Sequence, residues 1–267
     1  MLNNITLGQY YPVDSPVHRL DPRVKLLLTI VFIVAVFLAK SWIGYLLLTA
    51  FIVFSARMAH VPLNMLFRGL KPLRLILIIT FLLNLFFTAG DTVWVSFWVI
   101  RITKEGFLMA LFYSLRLMFL VVGTSLLTLT TSPVALSDAL EILLSPLKVI
   151  RFPAHELAMM MTIALRFVPT LLEEADKIMK AQMARGADFE TGNLVTRARA
   201  MVPLLVPLFV SAFRRASDLA MAMESRCYHG GEGRTRLRVL KLTGNDAAAC
   251  GITAVFLALI ILEGILF

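Results

Sequence analysis

The stretch FLMALFYSLRLMFLVVGTSLLTL, Phe107 to Leu129, decides the class of this protein. It is apolar throughout except for a few hydroxyls and Arg116, and it exceeds the roughly 20 residues a helix needs to cross a bilayer. In lipid a single apolar run can satisfy its own backbone only as a helix. Composition agrees: 59% of the 267 residues are hydrophobic and 16% charged, 19 are Phe, and the mean hydropathy is +0.82. A soluble domain carries about a quarter charged residues. This is an integral membrane protein.

Outward from that run, Val24 to Ala39, Trp42 to Ala56 and Leu73 to Ala89 precede it, and Ala247 to Phe267 closes the chain with Glu263 near its end. The first two runs fall short of a comfortable span, and snorkelling Lys and Arg at their ends make up the difference. Residues 90–104 read as a loop, with Trp94 and Trp98 suited to the interface.

Between the fourth and fifth runs, residues 131–244 are denser in charge yet rich in Leu, Met, Ala and Pro. Apolar and charged residues alternate there at helical spacing, so the segment folds outside the bilayer. A short helix is expected near 134–144 with Ser137 as its cap, and a long one from His155 to Arg185 with Glu173–Lys177 and Asp176–Lys180 pairs. A further helical stretch runs from after Gly192 to Tyr228, bent or broken at Pro203 and Pro207, and Gly230, Gly231 and Gly233 end it. The organisation is therefore 1–130 as a membrane domain of four transmembrane helices, 131–244 as a cytoplasmic helical domain, and 245–267 as a final transmembrane helix. The fold class is all-α, polytopic, with about five spans.

The net charge is +9, and basic residues cluster at the ends of the apolar runs: Arg19, Arg23 and Lys25; Arg57, Arg68, Lys71 and Arg74; Arg234, Arg236, Arg238 and Lys241. Under the positive-inside rule these put the amino terminus, the second loop and residues 131–244 in the cytoplasm. No basic stretch is interleaved with stacking aromatics, so nucleic acid is not a partner. The amino terminus carries no cleavage pattern of a signal peptide.

Cys227 and Cys250 lie in unlike settings, and the four histidines are scattered. No disulfide framework or metal site is read from them. Phosphate-loop, His-Glu-x-x-His and Gly-x-Ser-x-Gly motifs are missing. Glu173, Glu174 and Asp176 have cationic neighbours on one helix and read as a solvated face. No catalytic residue, cofactor or metal is expected. Arg116, a charge at mid-span, is either functional or bonded to carbonyls or Asn84 inside the bundle; the second reading is preferred.

Two places in the charged segment resemble each other. A proline-bearing helix leads to Ala184-Arg185-Gly186, and another to Ser225-Arg226-Cys227. Small neighbours leave each guanidinium free to enter a groove on another protein, where its planar fork binds carboxylates or carbonyls. Two copies suggest a partner that comes as a pair. The residues alone equally allow two basic side chains favoured by the dipole at helix carboxy ends.

With these motifs the chain resembles the transmembrane (T) component of energy-coupling factor transporters, a family that includes the Q-type subunits of cobalt and nickel importers. The resemblance rests on His-Arg-Leu-Asp-Pro-Arg-Val-Lys (18–25), Thr-Leu-Thr-Thr-Ser-Pro (128–133), Ala-Leu-Arg-Phe-Val-Pro (164–169) running on to Ala-Arg-Gly-Ala-Asp (184–188), and Ser-Arg-Cys-Tyr-His-Gly-Gly-Glu-Gly-Arg-Thr-Arg (225–236). It implies a non-catalytic subunit of the bacterial cell membrane, its amino terminus in the cytoplasm. It also implies a complex with two homologous ABC ATPases, which bind the ATP, and a small substrate-binding membrane subunit. Ala184, Arg185 and Gly186 would engage one ATPase, and Ser225, Arg226 and Cys227 the other. The second motif departs from Ala-Arg-Gly but keeps its arginine. A vitamin importer subunit shared among substrate subunits and a dedicated cobalt or nickel subunit are both compatible. A membrane enzyme acting on a lipid-linked substrate is the reading from another class.

Overall fold

The computed structural model describes residues 10–88, 92–97, 100–150, 152–187, 189, 193–231 and 240–266. Trp98, Gly192, Gly233 and the basic residues Arg234, Arg236 and Arg238 lie outside them. The regular structure described is helical but for one hairpin. In chain order it comprises α1 (Pro22–Leu38), α2 (Trp42–Met58), α3 (Leu63–Arg68), α4 (Arg74–Phe87), β1 (Val93–Phe97), β2 (Ile100–Thr103), α5 (Lys104–Thr130), α6 (Pro133–Leu144), a 3-10 turn (Ser145–Ile150), α7 (Ala154–Ala184), α8 (Leu194–Glu224) and α9 (Gly244–Leu266).

The all-α membrane class holds. The expected loop at 90–104 instead contains an antiparallel pair, β1 with β2, irregular between Val93 and Val95. Its β-branched residues prefer a pleated ribbon to open coil. The short helix α3 was also not foreseen, being too brief for a periodic signal.

The chain divides into two compact units, Gly8–Ala139 with Val239–Phe267, and Leu140–Arg238. In the first, α1 and α2 pack on α5 and α9, and α4 packs on α5. Its centre is a stack of Phe32, Phe51 and Phe256, with ring centroids 4.3–6.5 Å apart. Ala35, Val36, Ala39, Leu48, Ala56 and Ile260 are buried around it. Small residues let helices approach in lipid, where packing rather than water expulsion drives association. Gly123 of α5 shows this directly, since the Phe32 ring occupies the place of a Cβ. By contrast α4 buries none of its residues and presents Leu75, Ile79, Leu83 and Phe87 outward.

Caps fix the element ends. Asp21 caps α1, accepting from the Arg23 N–H, and Ser41 caps α2 through the Ile43 N–H. At α6 the cap is Ser132, which accepts from the Ala135 N–H at 3.3 Å. Ser137 is not the cap: it lies inside the helix and donates to the Pro133 carbonyl. A serine just before proline is the better placed residue, because Pro suits the first helical turn.

Arg116 donates to the Ala39 carbonyl at 3.1 Å. Its guanidinium lies 5.9 Å from the Phe37 ring centroid and 5.7 Å from that of Tyr113. Of the two structural partners considered, the carbonyl is the right one, since the Asn84 amide donates to Thr80 in its own helix. On α9, buried Glu263 accepts from the Ser41 N–H at 2.9 Å. The turn between α1 and α2 is thus held through Ala39 by α5 and through Ser41 by α9.

Among the described residues three helices are long and apolar enough, by length and composition, to cross a membrane: α5, α7 and α9. In α7 the charges gather after Leu172, as Glu173, Glu174, Asp176, Lys177 and Lys180, with Ile178, Met179 and Met183 among and beyond them.

Candidate functional site: two arginine-bearing helix ends

In the second unit α7 and α8 are each 31 residues long and pack on one another. Pro203 and Pro207 lie inside an unbroken α8, so of the expected bend or break the break does not occur. They sit four residues apart, hence on one face, and remove two N–H donors from a long helix whose other bonds persist. Pro169 is carried inside α7 likewise.

Of the expected ion pairs, Asp176–Lys180 forms at 2.6 Å. Among the described residues Glu173 and Lys177 make no ion pair; Glu174 instead meets Arg215 of α8 at 3.3 Å. A contact between helices leaves no periodic trace in one sequence, so Arg215 was not singled out.

The two helices end in the same way. In α7 the Arg185 and Ala187 N–H groups both donate to the Gln182 carbonyl, and the Gly186 N–H to Met183. In α8 the Arg226 and Tyr228 N–H groups both donate to the Met223 carbonyl, and the Cys227 N–H to Glu224. Each turn satisfies carbonyls that a helix end leaves open. The reversal needs a left-handed residue, supplied by Gly186 at φ 90° and by Cys227 at φ 55°. Arg185 and Arg226 therefore occupy equivalent positions, one residue before the reversal.

Ala184, Arg185 and Gly186 are all exposed, as are Ser225, Arg226 and Cys227. Neither guanidinium forms an ion pair or hydrogen bond with a described residue. Nothing lies within 4 Å of the place a Cβ would take on Gly186. Each helix thus terminates in an unobstructed cation on a stiff stem, a form suited to entering an acceptor-lined groove.

Methionine-rich faces flank these ends. Met160, Met161, Met183, Met201 and Met221 are exposed, and on α8 Val202, Val206, Phe209 and Phe213 are 54–71% exposed. Five of the eight methionines of α7 and α8 are thus exposed rather than packed into a core. Exposed, adaptable apolar side chains at this density mark surfaces that meet other proteins or lipid.

A family model described as "Cobalt transport protein" (CbiQ) matches residues 14–237, most of the chain and both helix ends. The chain belongs to the CbiQ family. Similar proteins match nearly the whole chain. The energy-coupling factor transporter transmembrane protein EcfT of Clostridium kluyveri is 51% identical over 97% of each chain. That of Thermosediminibacter oceani is 56% identical over 93% of each. The Bacillus subtilis protein of the same name is 48% identical, over 100% of this chain and 98% of its own. These relatives are named as transmembrane components of transporters.

Proposed function

We propose that this chain is the energy-coupling membrane subunit of an importer in the bacterial cell membrane. Its helical unit lies in the cytoplasm with the amino terminus, where the basic flanks favour it. Two homologous ABC ATPases bind and hydrolyse the ATP, and a small membrane subunit binds the solute, a vitamin or similar micronutrient. This chain performs no catalysis; it passes the motion of the ATPases to the solute-binding subunit.

The observation that carries this reading is the equivalence of the two helix ends. Two like turns, each presenting an exposed arginine at the tip of a 31-residue helix, fit two like sockets. A helix docked in a groove through an arginine anchor gains most of its energy from that anchor and its immediate surroundings. The likeness of the relatives, named energy-coupling factor components, supports the same role.

A tagged copy purified from native membranes is expected to bring down a pair of ATPases and one or more small membrane subunits. Recovery of the chain alone, or with a lipid-modifying activity, would contradict the reading. The family description, which names cobalt, favours a second reading of the cargo as cobalt. It is separated by the solute that the co-purified small subunit retains.

A further inference from the structure

The motif His18–Lys25 carries no role in the reading above, yet among the described residues of the membrane unit it is densely bonded. It reaches both ends of the charged segment. At the exit, α5 finishes with carbonyls its own helix cannot satisfy. The Leu129 carbonyl accepts from the Tyr11 N–H at 2.9 Å, and the Thr130 carbonyl from the Lys25 ammonium at 2.9 Å. Lys25 also donates to the His18 carbonyl at 3.1 Å. His18 holds the preceding strand of chain, its Nε2–H donating to Tyr11 at 2.9 Å while Nδ1 accepts from the Ser15 hydroxyl at 2.7 Å.

At the return, the Asp246 carboxylate accepts from the Asp21 N–H at 2.8 Å. It also takes the Thr243 N–H and hydroxyl at 2.7 and 2.8 Å. Arg23 grips Asp21 with two nitrogens, at 2.7 and 3.0 Å, and donates to the Leu240 carbonyl at 3.3 Å. Asp21, Lys25, Thr130 and Asp246 are all buried.

We propose that this cluster is the fulcrum of the coupling segment: Lys25 fixes its exit at Thr130, and Asp21 with Arg23 fixes its return at Leu240 and Asp246. The proposal rests on the coupling role proposed above. A pull on α7 or α8 moves membrane helices only if the junctions do not yield. Removing the Lys25 ammonium or the Asp246 carboxylate leaves buried partners unsatisfied, which is costly in a low-dielectric site. The junctions are therefore stiff, and displacement passes into α1, α5 and α9. These are positioning residues: they touch neither nucleotide nor solute.

The test uses the whole complex in proteoliposomes, with a genetically encoded nitroxide amino acid in place of the exposed Cys250 of α9, so that Cys227 is left as it is. In the otherwise unaltered complex, ATP is expected to change the label's spectrum. Asp246→Asn and Arg23→Lys are expected to keep the ATPases bound and hydrolysing while the ATP-induced change falls about fivefold or more, the lower end of ordinary coupling between sites. Arg116→Ala, which weakens a tie remote from the cluster, is expected to keep the change. An unaltered response in both cluster variants, an equal loss in Arg116→Ala, or no response at position 250 in the parent complex overturns the proposal. Loss of assembly in both cluster variants assigns these residues to folding alone and overturns it too. If the parent complex lacks ATPases, the coupling role itself has failed.

Discussion

Gly186 and Cys227 hold the same left-handed conformation at the same place in two like turns, although only one of them is glycine. The Ser-Arg-Cys sequence thus takes the same turn as Ala-Arg-Gly, with the strain of a side chain added.

That strain sets a first expectation. Cys227→Gly relieves it and, set against the greater freedom glycine has in the unfolded chain, leaves stability unchanged or raises it by about 1 kcal/mol. Gly186→Ala introduces the strain and costs about 1 kcal/mol. No neighbour contributes a clash at Gly186. Thermal unfolding of the purified variants reads both.

Cys227 is also an exposed native thiol in the 131–244 segment. With Cys250→Ala, a membrane-impermeant maleimide is expected to leave intact cells unlabelled and to label Cys227 after permeabilisation. Labelling of intact cells would place the segment outside.

Arg116 is expected to matter for stability rather than docking. Arg116→Ala removes the bond to Ala39 and the stacking on Phe37 and Tyr113. The cost is about 1–3 kcal/mol. Co-purification of partner subunits should be unchanged, which a pull-down beside a melting curve establishes.

His18 gives the membrane unit a pH dependence. Burial holds its pKa below the ordinary 6.5, helped by the nearby Lys25 charge and opposed by its bond to the Tyr11 carbonyl. The unfolded chain therefore takes up a proton before the folded one does. Its stabilising contribution is complete above pH 6.5 and is lost as pH falls through the lower, folded value. The melting temperature is expected to drop between pH 7.5 and 5.5, and by less in His18→Gln.

Much of this was legible in the sequence because lipid and helix periodicity both act locally. The five apolar runs became α1, α2, α4, α5 and α9 with small shifts at their ends, and the two long helices stop where small residues flank an arginine. What was not legible depends on partners far along the chain. Asp246 bonds Asp21 across 225 residues, a pairing that nothing local in the chain signals. Arg215 gained its meaning only from Glu174, and Pro203 and Pro207 only from a helix long enough to absorb them. The equivalence of Arg185 and Arg226 was visible as a pattern, but the left-handed turn at Cys227 was not, since cysteine gives no conformational signal.

The most direct test of the central claim is to change Arg185 and Arg226 together to Ala in the tagged chain and measure ATPase co-purification and ATP-driven solute uptake. The two helix ends, as paired anchors, require that co-purification be lost or that hydrolysis continue without uptake. A double variant that assembles and transports like the parent would contradict the account.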